Sequence, residues 1–416
     1  MNTTRVTRAD IEAAAARLDG VATTTPLQLN ARLSALTGAA VYLKREDLQP
    51  VRSYKLRGAY NFISQLATDV RARGVVCASA GNHAQGVAMA CALLGIDGWA
   101  YLPRTTPRQK RDRIEALGEG RVEIRATGDT YDEASDAAAA FAASNGAALV
   151  PAFDALDTIA GQGTVIREIE GQLGRSPDVL VVPIGGGGLL AGSAAWLSDQ
   201  ATPPRLVGVE PAGAASMAAA VRAGLPVPLD TLDTFVDGAA VRQVGAHTYA
   251  HAAASGVELL TVTEGELCTE MIALYQADGI IAEPAGALSS TALGQLGDLR
   301  DQTVVCVLSG GNNDLSRYPE ILERSLVHLG LKHYFLVEFP QEPGALRGFL
   351  DHALGPEDDI TLFEYVKRSN RETGPALVGI ELARREDIGP LLDRLAGMSL
   401  VVEQVQPDHA LFRFLV

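Results

Sequence analysis

Between Val41 and Leu308 the chain alternates short β-branched runs with alanine- and leucine-rich stretches of helical period. That alternation is the signature of α/β architecture built on mainly parallel sheets. Residues 41–43, 74–78, 98–102, 122–124, 147–150, 179–184, 206–209 and 303–308 predict strands. Several are apolar nearly throughout, as strands covered by helices on both faces must be. So many strands favour two doubly wound sheets over one.

Near Leu331 the pattern changes. Residues 332–339, 360–367, 376–382 and 410–415 read as strands, and 345–352 and 387–395 as helices. A β-α-β-β-α-β order of that size predicts a ferredoxin-like α+β unit. His333, Phe335, Val337 and Phe339 alternate on one face of its first strand. The helical stretch 318–329 reads as a connecting neck. The expected organisation is therefore a large region 1–330, with a smaller subdomain at about 45–150 inserted in it, and a C-terminal domain 331–416.

Composition narrows the class. Hydrophobic residues make up 47% and charged residues 20%, as in ordered globular proteins. Asp and Glu number 50 against 35 Lys and Arg, a net charge of −15 that argues against a nucleic-acid partner. The cluster Arg104, Arg108, Lys110, Arg111 and Arg113 lacks interleaved aromatics and reads as a solvated helix face. Cys77, Cys91, Cys268 and Cys306 are widely spaced, so buried reduced thiols, a cytoplasmic setting and no metal site are expected. Arg5, Arg8, Asp10 and Glu12 occupy the place of a secretion signal's apolar stretch. The uncharged stretch 179–197 contains Pro183 and four glycines, whose backbone would be unsatisfied in lipid, so no membrane span is expected.

Candidate chemistry begins with lysine, of which the chain has only five: Lys44, Lys55, Lys110, Lys332 and Lys367. Lys55 lies in Arg52-Ser53-Tyr54-Lys55-Leu56-Arg57-Gly58-Ala59, a predicted helix start with Ser53 as N-cap. A desolvated lysine there loses its preference for the ammonium form and becomes an amine nucleophile toward an aldehyde. Gly185, Gly186, Gly187 and Gly188 follow an apolar strand and open a helix at Leu189. Successive N–H groups of such a turn converge on one anion and form a phosphate cradle. Gly186-x-Gly188-x-x-Ala191 also fits the dinucleotide fingerprint, with Glu210 as the ribose-binding acid, which keeps a nicotinamide-dependent oxidoreductase open. Ser79-Ala80-Gly81-Asn82-His83 offers a second set of N–H groups suited to a carboxylate. Ser309-Gly310-Gly311-Asn312-Asn313 places a hydroxyl at the C-terminal edge of a sheet.

Taken with Tyr42-Leu43-Lys44-Arg45-Glu46-Asp47 and Ile281-Ala282-Glu283-Pro284-Ala285-Gly286-Ala287, these motifs resemble the fold-type II pyridoxal-phosphate enzymes, which are tryptophan synthase β-like. Over nearly the whole chain they look most like the threonine dehydratases of branched-chain amino-acid synthesis. The resemblance implies that Lys55 carries pyridoxal 5′-phosphate and takes the substrate's α-proton. It implies that Asn82 meets the ring 3′-oxygen, Ser309 the pyridine nitrogen, and Gly185 to Gly188 with Leu189 the phosphate. Ser79, Ala80, Gly81, Asn82 and His83 would receive the substrate carboxylate. Tyr54 stands where many relatives place Phe.

The implied reaction converts L-threonine, and secondarily L-serine, to a 2-oxo acid and ammonia, at the first step of isoleucine biosynthesis. Serine dehydratases and racemases of the same fold are the alternative. The racemases resemble Ser-Ser-Gly-Asn-His where this chain has Ala80, and Ser216 stands where their cation site, near Glu210, expects Asp. Glu342-Pro343-Gly344-Ala345-Leu346 resembles an ACT-like regulatory domain of the short form, implying an isoleucine or valine effector and a homotetramer. A non-catalytic amino-acid sensor is a third reading. Only the pyridoxal-phosphate reading requires Lys55.

Overall fold

The computed structural model describes residues 5–365, 372–406 and 409–415. Its two sequence patterns separate into units Met1–Asp314 and Leu315–Val416. In the first unit ten strands form: Leu27–Leu29 (β1), Ala40–Arg45 (β2), Val75–Ala78 (β3), Gly98–Leu102 (β4), Val122–Ala126 (β5), Ala148–Leu149 (β6), Val179–Pro183 (β7), Arg205–Pro211 (β8), Glu258–Val262 (β9) and Thr303–Leu308 (β10). Strands β3 to β6 make a parallel sheet of order β5-β4-β3-β6. The others make a sheet of order β1-β2-β10-β7-β8-β9, parallel apart from its antiparallel edge strand β1. The small sheet is thus an insertion between β2 and β7, after which β10 returns to pair with β2, Thr303 opposite Ala40 through Leu308 opposite Arg45.

The central strands are dictated by burial. All five residues of β7 are buried, and Leu180 and Val182 pack with Val305 and Val307 of β10 against Ile159, Val165 and Leu190 from the covering helices. Strands β1 and β9, which the apolar runs did not predict, lie at the two edges of this sheet, where half-exposed and polar positions are tolerated. The sequence around 179–197 resolves into β7, a glycine turn and the ten-residue helix Gly188–Leu197. Among the described residues no helix is long and apolar enough to cross a membrane. The four cysteines are buried and form no disulfide among the described residues.

The second unit has strands Lys332–Pro340 (β11), Asp359–Tyr365 (β12), Thr373–Glu381 (β13) and Val401–Val405 (β14), with helices Ala345–Ala353 and Ile388–Ala396 on one face. The antiparallel order β12-β13-β11-β14 is that of a ferredoxin-like unit. Phe335, Val337 and Phe339 are buried in its core, with His333 half-buried at the end of the same face. The expected last strand, 410–415, is a correction: Ala410–Phe414 is a 3-10 helix. The β-branched run Val401-Val402 already occupies the free edge of β11, Val405 opposite Tyr334 through Val401 opposite Glu338. The later apolar residues therefore have no ladder to join, and Phe412 packs edge-on against the Tyr334 ring instead. Lys367, in the expected strand 360–367, lies outside the described residues. The helix Tyr318–His328, read from sequence as a neck, belongs to this second unit, where its Glu323 accepts Lys332 Nζ at 2.6 Å.

Candidate active site

The ends of β3, β7 and β10 deliver three loops, and the start of the helix Lys55–Ser64 delivers the lysine. Ser53 does not cap that helix. Tyr54 is the N-cap and makes no side-chain cap bond, while Ser53 forms a bridge with Gly310 and keeps a buried hydroxyl without a partner. The turn pairs with the loop after β10 because Arg52, left-handed at φ 55°, accepts the Gly311 N–H at 2.9 Å. The Tyr54 N–H, next to Lys55, donates to the Ser309 carbonyl at 3.2 Å and ties the lysine's turn to the loop that carries Ser309.

Lys55 Nζ donates to the Ala152 carbonyl at 3.1 Å. Lys44, Lys110 and Lys332 are each paired with a carboxylate, at 2.7, 2.6 and 2.6 Å. Among the described lysines only Lys55 lacks an ion pair. Burial lowers its pKa to about 8, against an opposing pull from Glu283, so a substantial neutral fraction exists near physiological pH.

The glycine loop is built to hold an anion. The N–H groups of Gly185, Gly186, Gly187, Gly188, Leu189 and Leu190 donate to no acceptor in the described protein; the first bond back into the turn is Ala191 N–H to Gly187. All but Gly185 are buried, and such a run of buried unpaired donors requires an external acceptor. Gly187 is left-handed at φ 90°. A Cβ on Gly186 would lie 2.2 Å from the Phe153 ring, so the close approach of that ring requires glycine. The cradle fits a phosphate.

The loop after β3 is narrower than the sequence implied. Ser79 N–H is spent on the Tyr101 carbonyl at 3.1 Å and Gly81 N–H on Ser79 Oγ at 3.1 Å. Ala80, Asn82 and His83 keep free N–H groups at the start of the helix Asn82–Leu94. A Cβ on Gly81 would meet nothing within 4 Å, so the loop borders open space. The His83 ring is a pin: Nε2 lies 2.9 Å from the Val150 carbonyl, and burial, then Lys55, lower its pKa to about 4, so the neutral imidazole donates that bond.

Asn82 and Ser309 both bond to the segment Glu283–Ala285. Asn82 Nδ2 donates to Glu283 Oε1 at 2.6 Å, and its Oδ1 accepts from Asn312 Nδ2 at 2.7 Å. Ser309 Oγ, buried, donates to the Ala285 carbonyl at 3.3 Å. Glu283 is the residue that sequence reasoning quoted without giving it a role. Burial, then Asp237, raise its pKa to about 7. An acid immediately before Pro284 in an otherwise apolar motif was the available signal.

Glu210, the acid of the dinucleotide reading, is fully buried and accepts Met217 and Ala218 N–H at 2.7 and 2.9 Å. It is committed to the start of the helix Ser216–Ala223 and has no exposed surface through which to meet a ribose. The oxidoreductase reading loses its second element.

A doubly wound pair of sheets, a lone unpaired lysine and an anion cradle at the strand ends together define a pyridoxal-phosphate enzyme of fold-type II. The family model for "Pyridoxal-phosphate dependent enzyme" matches residues 18–310, and that for "C-terminal regulatory domain of Threonine dehydratase" matches residues 323–415. The chain is 59% identical over 410 residues to the biosynthetic L-threonine dehydratase IlvA of Mycobacterium tuberculosis, covering 98% of this chain and 96% of that one. It is 54% identical to its namesake from Corynebacterium glutamicum, covering 98% and 94%. The processed form of threonine deaminase isoform 2 from Solanum lycopersicum superposes with a TM-score of 0.72 at 38% identity, over 76% of this chain and 92% of that one. The chain belongs to the biosynthetic threonine dehydratase family of pyridoxal-phosphate-dependent enzymes.

Proposed function

We propose that the chain dehydrates and deaminates L-threonine to 2-oxobutanoate and ammonia, with L-serine as a secondary substrate, in the cytoplasm. The observation that carries this reading is the pairing of Lys55, which has no ion-pair partner, with a run of N–H groups, Gly185 to Leu190, that donate to no acceptor in the described protein. In this reading Lys55, Asn82, Gly185 to Leu189 and Ser309 hold pyridoxal 5′-phosphate. Once bound, that cofactor supplies an electron-withdrawing ring that favours loss of the proton from the substrate's Cα.

The protein's own residues do the rest. Ala80, Asn82 and His83 N–H groups take the substrate carboxylate and fix its orientation. Lys55, held near pKa 8, accepts the α-proton. Ser309 presents a neutral hydroxyl, not a carboxylate, to the ring nitrogen. It therefore cannot hold that nitrogen fully protonated, which disfavours a long-lived carbanion and favours prompt loss of the β-hydroxyl. Asn312 orients Asn82 from behind.

Purified protein should absorb in the near ultraviolet and visible range, lose that band on borohydride treatment, and release 2-oxobutanoate from L-threonine. A protein with no such band that reduces a nicotinamide cofactor would overturn the proposal.

We infer further that the second unit is an ACT-like regulatory domain answering to isoleucine or valine, within a homotetramer. A cavity of about 640 Å³ bordered by Phe339, Glu342, Pro343, Leu346 and Phe363 is large enough for such a side chain. An effector acts only through a difference in affinity between two states, and truncation after Asp314 should remove that response while leaving threonine turnover. Equal effector responses in full-length and truncated protein would remove the regulatory assignment.

A further inference from the structure

The crossover from the small sheet back to the large one places three consecutive residues against three different parts of the site. Ala152 accepts the Lys55 amine at 3.1 Å. Phe153 fills the space left by the absent side chains of Gly186 and Gly188. Asp154 reaches across to a helix 92 positions later in sequence, Ala246–Ser255. Its Oδ2 accepts Ala246 N–H at 2.9 Å, and its Oδ1 accepts His247 and Thr248 N–H at 2.9 and 3.1 Å. That helix cannot be capped by its own N-cap residue, because Gly245 has no side chain. A Cβ on Gly245 would lie 1.9 Å from Asp154 Cγ, so glycine is required for the carboxylate to come this close.

The capped end of the helix touches the cradle. A Cβ on Gly187, the left-handed member of the glycine run, would lie 3.0 Å from Thr248 Cβ. Thr248 is fully buried, and its backbone N–H is one of the three that Asp154 holds. Asp154 thus fixes the floor beneath Gly187, while its neighbour Phe153 fixes Gly186 and Gly188 from the other side.

We propose that Asp154 is a positioning residue for the glycine cradle: by capping the helix Ala246–Ser255 it holds Thr248 against Gly187 and sets how tightly a phosphate is gripped. This rests on the reading above that the cradle takes the phosphate of pyridoxal 5′-phosphate. Asp154 itself touches no reacting atom.

The test compares affinity for pyridoxal 5′-phosphate with affinity for pyridoxal, which has the same ring and aldehyde and no phosphate. Full-length protein stripped of cofactor would be titrated with each. In Asp154→Ala the ratio of the two affinities should fall by about fivefold, the scale of a lost helix cap. Asp154→Asn, which keeps one acceptor oxygen, should fall between the two. Gly245→Ala should reproduce the loss, since Gly245 has an ordinary extended backbone at φ −76° and the three atoms nearest to the added methyl all belong to the Asp154 side chain. It also answers the question if Asp154→Ala does not fold. As a control, Thr263→Ala removes the cap of the helix Glu264–Gln276 and should lower thermal stability without changing the ratio.

An unchanged ratio in Asp154→Ala, or in Gly245→Ala together with Asp154→Asn, overturns the positioning role. A wild-type protein that binds both compounds equally overturns the cradle reading beneath it, and with it the proposal. A ratio that falls equally in Thr263→Ala reduces Asp154 to a general stabiliser and also overturns the role.

Discussion

Two lysines eleven residues apart in sequence are buried in opposite ways. Around Lys44 every charge is answered: its Nζ lies 2.7 Å from Glu168 and 2.8 Å from the Thr25 carbonyl, and Arg57 bridges Glu46 and Glu168 at 2.8 and 2.6 Å. Burial lowers Lys44 too, but Glu168 and Glu46 pull it back toward the ammonium form. Around Lys55 groups go unanswered among the described residues: the amine has a single carbonyl, Ser53 has a bare hydroxyl, and six N–H groups from Gly185 to Leu190 have no protein acceptor. Satisfied burial marks structure, and unsatisfied burial marks a place kept for a ligand.

The largest expected effect separates the two neighbourhoods. Lys55→Ala should reduce threonine turnover by about a thousandfold or more, the scale of a lost general base and nucleophile together. Thermal unfolding should shift by only a few degrees, because no ion pair is broken. Steady-state assay and calorimetry on one preparation check both. Ordinary activity in that variant would sink the mechanism.

Arg57→Ala should do the reverse. It strips the ion-pair partner from Glu46, which has no exposed surface and keeps only neutral hydrogen-bond donors, Thr25 and Gln49, and breaking a buried pair costs about 3–5 kcal/mol. Urea unfolding should record that loss. A variant as stable as wild type would mean that the Lys44 network is not the anchor its geometry implies.

How far these neighbourhoods could be read from sequence follows from the range of their contacts. The glycine run and Lys55 announce themselves within a few residues, because a nest of N–H groups and a helix-start lysine are local devices. The central strands β7 and β10 did so as well, since burial on both faces leaves a continuous apolar run. What stayed hidden depends on pairing at a distance. Edge strand β9 mixes Glu258 and Thr261 among its apolar residues. The last strand was expected at 410–415 because that segment is apolar, yet the edge of β11 was taken by Val401–Val405. Ser53 looked like an N-cap until its bridge to Gly310 turned it away. Asp154 and Glu283 gain their meaning only from partners 92 and 201 positions away.

A smaller effect should appear in the pH dependence of stability. Glu283 accepts Asn82 Nδ2 at 2.6 Å, and burial, then Asp237, raise its pKa from 4.5 to about 7. The folded protein therefore holds that proton more tightly than the unfolded chain does. Its contribution to stability is complete below about pH 4.5 and is lost as pH rises through about 7. Glu283→Gln cannot titrate, so its stability relative to wild type should grow between those two values and then level off. Denaturant midpoints measured at half-unit pH steps give the comparison. A difference that does not vary with pH would contradict the raised pKa.

The smallest expected effect concerns Ala80, where the serine racemases that this chain resembles place a second serine. Ala80 lies in the loop after β3, its methyl packed at the border of the small sheet's core and its N–H without an acceptor. Ala80→Ser adds one hydroxyl and leaves that N–H in place, so the proposed carboxylate contact survives. Dehydration of L-threonine should change by no more than about twofold, the factor that corresponds to the 0.5 kcal/mol typical of a mild substitution. The new hydroxyl would add a second proton carrier near the substrate's Cα, on the side opposite Lys55 that the resemblance to serine racemases implies. A minor yield of D-serine from L-serine, absent in wild type, is the expected sign, and chiral chromatography of the two reaction mixtures reads it directly. Substantial D-serine from the wild-type protein would show that Ala80 is not what separates elimination from racemisation. A large fall in dehydration in Ala80→Ser would show instead that the loop has no room for the hydroxyl, and that the open space beside Gly81 does not extend to its neighbour.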